Sequence, residues 1–159
     1  MSRVLIVYHS RTGNTKRMAE LIAEGARDEG AEVDVKPVRE AKVEELPEYD
    51  AIVVGSPTYY GCMAAEVKKF LDDSVRLHGD LEGKVGGAFS SSGGIGGGNE
   101  TTVMSILQAL LIHGMIVQGT SEGDHYGPVA IGKPDGRSEG LCREYGRRVA
   151  RLASKLASS

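Results

Sequence analysis

The chain has 159 residues, 40% hydrophobic and 26% charged, which fits one folded domain and excludes a disordered chain. Its net charge of −3 argues against a nucleic-acid binder that works by neutralising phosphates, and no apolar run approaches the ~18 residues of a membrane helix. Two distant cysteines, Cys62 and Cys142, make neither a disulfide framework nor a metal site, and the N-terminus enters a strand with no signal peptide, which predicts a cytoplasmic protein.

Val4 to Tyr8 is an apolar run of strand length. Met18, Leu21, Ile22, Gly25 and Ala26 follow at helical spacing. Val33 and Val35 alternate with Asp34 and Lys36 before Pro37, the pattern of a half-exposed edge strand. After a short helical segment, Ala51 to Val54 is apolar on both faces. Met63, Val67, Phe70 and Leu71 form the next helical stripe, with Cys62 opening that helix as a packing residue. Lys84 to Phe89 reads as a strand weakened by glycine. Val103, Ile106, Leu107, Leu110 and Leu111 give an amphipathic helix, Met115 to Val117 a short strand, and Leu141 to Leu156 the last helix, basic toward its C-terminal end.

Strands apolar on both faces imply a parallel sheet covered by helices on both sides. The weakly alternating second strand belongs at an edge, so the expected fold is α/β, three-layered and doubly wound, with a five-stranded parallel sheet in the order 2-1-3-4-5. Such sheets bind ligands beyond the C-terminal ends of their strands, at the switch between strands 1 and 3. The segments to examine therefore follow strands 1, 3, 4 and 5.

After the first strand, Ser10, Arg11, Thr12, Gly13, Asn14 and Thr15 open a helix. Hydroxyls, an amide and the helix N–H groups converge there, making a phosphate cradle that needs no metal. After the third strand, Pro57, Thr58, Tyr59, Tyr60 and Gly61 offer aromatic faces to a planar ring. After the fourth, the loop holding Ser91, Ser92, Gly93, Gly94 and Gly96 supplies backbone N–H groups and hydroxyls for the rim of such a ring, but no aromatic for its second face. After the fifth, His125 and Tyr126 are candidate pocket contacts. Glycine, 22 residues in all, is about twice as common as the usual ~7%, and its concentration between Gly86 and Gly98 marks close backbone approach to a ligand. The dinucleotide fingerprint Gly-x-Gly-x-x-Gly does not occur. Gly127-x4-Gly132-Lys133 mimics a P-loop but continues with Pro134.

A phosphate cradle after strand 1 with ring-binding loops after strands 3 and 4 resembles the flavodoxin-like FMN site. Ser56-Pro57-Thr58 with Gly61-x-Met63, Phe89-Ser90-Ser91, Glu100-Thr101-Thr102, His113-Gly114-Met115 and Tyr126-Gly127 resemble, in that order, the motifs of WrbA-type NAD(P)H:quinone oxidoreductases. The resemblance runs from about Arg3 to Leu156, so residues 1–159 are expected to form a single FMN-binding domain. It implies FMN as cofactor, NADH or NADPH as reductant and a quinone or other small acceptor. By that resemblance Ser10 to Thr15 hold the phosphate, Thr58 to Tyr60 lie along the ring and Ser91 to Gly96 contact its rim. The cofactor carries the hydride chemistry, so no side chain is assigned a catalytic role. The resemblance also implies a homo-oligomer, dimer or tetramer.

The chain departs from that family in lacking its insertion between strands 2 and 3 and its tryptophan, near whose position Arg76 falls. Ile112 stands where the family has the first histidine of a His-His-Gly-Met run. Two readings therefore stand: a two-electron NAD(P)H:quinone oxidoreductase, and a flavodoxin that carries single electrons between protein partners. Carriers surround the ring with two aromatics and a fence of acids. Here the loop after strand 4 has Glu100 as its one acid.

Overall fold

A computed structural model describes all 159 residues. The elements are β1 (Arg3–Tyr8), α1 (Asn14–Asp28), β2 (Glu32–Pro37), β3 (Ala51–Pro57), α2 (Ala65–Asp73), β4 (Val85–Ser92), α3 (Asn99–Ile112), β5 (Ile116–Val117), β6 (Val129–Ile131) and α4 (Gly136–Ala157). Short 3-10 turns at Val43–Glu48 and Ser74–Leu77 lie in the β2–β3 and α2–β4 connections.

The strands pair in parallel in the order β2-β1-β3-β4-β5, as expected from their apolar patterning. Side chains alternate across the sheet, so β1 sends Val4 and Ile6 to one face and Leu5 and Val7 to the other, all four fully buried. The first face packs under α1 and α4, with Met18, Ile22, Phe89 and Tyr145 at its centre. The second packs under α2 and α3, with Ile52, Val54, Val67 and Ile106. Each fully buried aliphatic or aromatic side chain contributes about 1.5–3 kcal/mol, so a strand buried on both faces holds the sheet even where glycine weakens it.

The fold differs from expectation at the fifth strand. Two short pieces take its place: β5 pairs with Val85 and Gly86 at the start of β4, and β6 with Ser90 to Ser92 at its end. The segment from Gly119 to Pro128 therefore interrupts the fifth strand instead of following it. At the gap, the buried Tyr145 hydroxyl accepts a hydrogen bond from the Ala88 N–H at 3.0 Å, so α4 replaces a missing strand rung. Burial pushes the Tyr145 phenol up to about 12. Gly87 admits that hydroxyl, since a Cβ there would overlap it.

A second difference is that β4 runs on through Ser90, Ser91 and Ser92, all buried, where a loop is expected from composition. Ser90 and Ser91 pair with β3 on one side and, with Ser92, with β6 on the other, and that central position overrides their low strand propensity. A third concerns Cys62, which is exposed and lies ahead of α2 in a turn. On the opposite side of the molecule α1 and α4 approach backbone to backbone: a Cβ at Gly25 would overlap the Arg143 carbonyl, and one at Gly146 the Ile22 carbonyl.

Candidate functional site

The C-terminal ends of β1, β3 and β4 surround an open cavity of about 480 Å³. Arg11, Thr12, Asn14 and Thr15 line it from the β1–α1 turn, Pro57, Thr58 and Tyr59 from the end of β3, and Ser91, Ser92 and Gly93 from the end of β4. Its volume suits a cofactor-sized ligand. Arg11 is the one charged lining residue, and no acid lines the cavity.

The β1–α1 turn is built to leave donors free. Gly13, at φ +101°, takes the left-handed conformation that turns the chain into α1, and its N–H is held by Ser10 Oγ at 3.1 Å. No side chain caps α1 and no acid occupies its first turn, so its first N–H groups and the positive end of the helix dipole are available to an anion. Below the turn, the buried Thr15 and Ser91 hydroxyls meet at 2.8 Å and tie α1 to β4.

The β3 turn is closed by reciprocal backbone bonds between Tyr59 and Cys62, at 3.0 and 3.1 Å. Tyr60 sits inside it at φ +49°, the one non-glycine residue of the chain with a left-handed backbone. Such a conformation costs about 1–3 kcal/mol and persists only where the surroundings impose it. They do so here: Thr101 Oγ1 donates to the Gly61 carbonyl at 2.7 Å, and Gly98 passes so near Gly61 that a Cβ on it would lie 2.7 Å from the Gly61 Cα. The two loops are thus clasped together, with Tyr60 fully exposed and Tyr59 39% exposed at the cavity wall. The β4 loop is fastened by Asn99, whose Nδ2 donates to Ser92 Oγ at 3.0 Å.

The expected site residues divide into three groups. Arg11, Thr12, Asn14, Thr15, Pro57, Thr58, Tyr59, Ser91, Ser92 and Gly93 come together around the cavity. Ser10, Gly13, Tyr60 and Gly61 shape the turns that carry them, while Gly94 and Gly96 lie further along the β4 loop, outside the lining. His125 and Tyr126 are exposed in the segment that interrupts the fifth strand and do not line the cavity. His125 Nδ1 is 2.8 Å from the Thr120 carbonyl. Asp124 is bound by Arg137 at 2.9 Å and by the Val129 N–H, so it is neutralised locally. Gly132, the residue after β6, lines the cavity instead. Its signal in the sequence was the glycine of the false P-loop, and the split of the fifth strand concealed its place.

A second, larger cavity of about 540 Å³ lies between α2 and α3, lined by Met63, Leu71, Val75, Ala109, Ile112 and His113 among others. Apolar side chains give most of its surface, beside Lys68, Asp72, Ser105 and Gln108, and no helix N-terminus opens into it. His113 is buried, with Nε2 2.8 Å from Ser74 Oγ and Nδ1 without a partner. Since Ser74 Oγ donates to the Leu71 carbonyl at 2.6 Å, it accepts from Nε2–H. Burial, with a smaller contribution from His78, holds the imidazole below its ordinary range.

No helix is long and apolar enough to cross a membrane. A family described as flavodoxin domain matches residues 5–100. A protein of Aquifex aeolicus named flavodoxin is 48% identical over 94% of this chain and 86% of its own. One of Archaeoglobus fulgidus named NAD(P)H dehydrogenase (quinone) is 38% identical over 190 aligned positions, covering 98% of this chain and all of the relative. The crystal structure of a WrbA-like flavodoxin from Agrobacterium tumefaciens superposes with a TM-score of 0.81 at 31% identity, over 98% of this chain and 99% of that one. The fold, the order of the strands and these relatives agree: the chain belongs to the flavodoxin family.

Proposed function

We propose that the chain binds FMN in the cavity at the ends of β1, β3 and β4 and acts as an NAD(P)H:quinone oxidoreductase. The observation that carries this reading is the asymmetry of the cavity: Tyr59 stands on one wall, no aromatic stands on the β4 side, and no acid lines it. A ring resting on Tyr59 keeps its other face open to a nicotinamide or a quinone. The bound flavin supplies two-electron chemistry. The chain holds its phosphate at the α1 N-terminus, with Thr12, Asn14 and Arg11 nearby, and orients its ring between the β3 and β4 loops. Relatives named NAD(P)H dehydrogenase (quinone) support the same reading.

The second reading, a one-electron carrier, is favoured by the relative named flavodoxin at 48% identity. Opposing it is the placement of acids: none lines the cavity, and Asp124 is paired with Arg137. An anaerobic titration of the FMN-loaded protein with NADH and then NADPH, followed by benzoquinone, separates the two. The enzyme reading predicts direct bleaching of the flavin without a radical band and rapid reoxidation by quinone. A flavin that stays oxidised with both nucleotides, yet forms a stable radical with dithionite, makes the protein a carrier.

A further inference from the structure

The wall that β3 and β4 present to the cavity holds two hydroxyls, those of Thr58 and Ser92, whose protons can be assigned. Ser90 is fully buried, and its Oγ lies 2.7 Å from the Ser56 carbonyl and 3.3 Å from the Ser91 carbonyl. A hydroxyl has one proton to donate, and both of these neighbours can only accept. The Ser90 proton is therefore committed to the backbone. Thr58 Oγ1 lies 2.9 Å from Ser90 Oγ, and with Ser90 unable to donate, Thr58 must. Thr58 lines the cavity, so it offers the cavity lone pairs alone. Ser92 is committed in the same way, donating to the Gly94 carbonyl at 3.1 Å while accepting from Asn99.

The cavity is thus chemically polar along its length, with free N–H donors at the α1 end and acceptor-only hydroxyls at Thr58 and Ser92. We infer that Ser90, which does not line the cavity, is a positioning residue: it locks Thr58 as a hydrogen-bond acceptor, and the wall so formed selects a ligand through an N–H that the ligand donates and turns an anionic group toward α1. This rests on the FMN reading above. The oxidised isoalloxazine carries one N–H, at N3, beside several acceptors, whereas the ionised phosphate offers acceptors alone, so the wall at Thr58 and Ser92 favours the ring edge over the phosphate. The phosphate cannot exchange places with the ring without setting acceptors against acceptors.

The test is a double-mutant cycle on FMN binding, followed by quenching of flavin fluorescence, with Thr58→Val, Ser90→Ala and the double variant. Thr58→Val is expected to weaken FMN by about fivefold, the loss of one hydrogen bond, and Ser90→Ala by a similar factor in the wild-type background. In the Thr58→Val background Ser90→Ala is expected to change nothing, because the hydroxyl it positions is gone. Thr58→Ser, which keeps the hydroxyl, is expected to retain wild-type affinity and remain sensitive to Ser90→Ala. Equal effects of Ser90→Ala in both backgrounds would make Ser90 a structural residue and overturn the inference.

A second measurement is independent of FMN and of how well the variants fold. In the ligand-free wild-type protein the Thr58 hydroxyl proton is expected to be protected from exchange by NMR, and its rapid exchange overturns the proton assignment. Failure of wild-type protein to quench FMN at all, with that proton still protected, removes the FMN reading and leaves the acceptor wall standing.

Discussion

The cavity at the strand ends and the one between α2 and α3 are similar in volume and opposite in construction. The one at the strand ends is lined by hydroxyls, a helix N-terminus and glycine, with Tyr59 as its one aromatic. The one between α2 and α3 is the larger, and Met63, Leu71, Val75, Ala109 and Ile112 share its wall with Lys68, Asp72, Ser105, Gln108 and two histidines. Size would favour the second. Donor chemistry favours the first, because a phosphate needs convergent N–H and O–H groups, whereas the second offers scattered side chains, the acid Asp72 among them, and no helix N-terminus. The comparison shows that the sheet topology, which exposes helix N-termini beyond the strand ends, decides where an anionic cofactor can sit.

The largest expected effect breaks the first cavity. Thr12→Ala combined with Asn14→Ala should weaken FMN by about a hundredfold or more, the loss of two charge-assisted hydrogen bonds. Both residues lie at the surface turn before and at the start of α1 and outside the core clusters, so circular dichroism and the unfolding midpoint should change little. Full flavin occupancy in that variant would contradict the phosphate assignment. Tyr59→Ala should weaken FMN by about tenfold and shift its visible absorbance, as the loss of an aromatic contact does. Tyr60, fully exposed and fixed by its turn, should give the smaller change of the two. An unaltered spectrum in both variants would remove the stacking contact.

The second cavity is sharpened through His113. Because burial lowers its pKa below 6.5, the unfolded chain takes up that proton at higher pH than the folded one. The stability His113 contributes is therefore intact above about pH 6.5 and declines as pH falls through that value toward its folded pKa. Urea unfolding at pH 7 and pH 5 should show this slope in the wild type and a flatter one in His113→Gln; equal slopes would contradict it. The smallest effect is expected from Ile112→Gln, at a residue 73% exposed. FMN affinity should stay within about twofold of wild type, since substitutions of exposed residues change little, and a large loss would place the ligand in the α2–α3 cavity after all.

Much of this was legible in the sequence, and the parts that were not share a cause. β1 and β3 announce themselves as apolar runs because both of their faces are buried. Thr12 to Thr15 read as a cradle because hydroxyls and glycine stand where a helix begins. β4 was harder: Gly86, Gly87 and Ser90 to Ser92 have weak strand propensity, and they form a strand because β3 and β6 supply partners and Tyr145 fills the space at Gly87. The division of the fifth strand left no signal, since pieces of two and three residues are too short to show a period. That same division carries His125 and Tyr126 away from the cavity and brings Gly132 to it. The role of Ser90 has no signature in the sequence, because it depends on which carbonyls surround a buried hydroxyl.

The central claim is that the strand-end cavity recognises a flavin by its phosphate at α1, and comparing FMN with riboflavin tests it most directly. Fluorescence titration of the ligand-free protein with each should give an affinity for FMN about a hundredfold or more above that for riboflavin, the contribution of several charge-assisted bonds to one phosphate. Equal affinities would mean that the cradle does not hold the phosphate and would contradict the account.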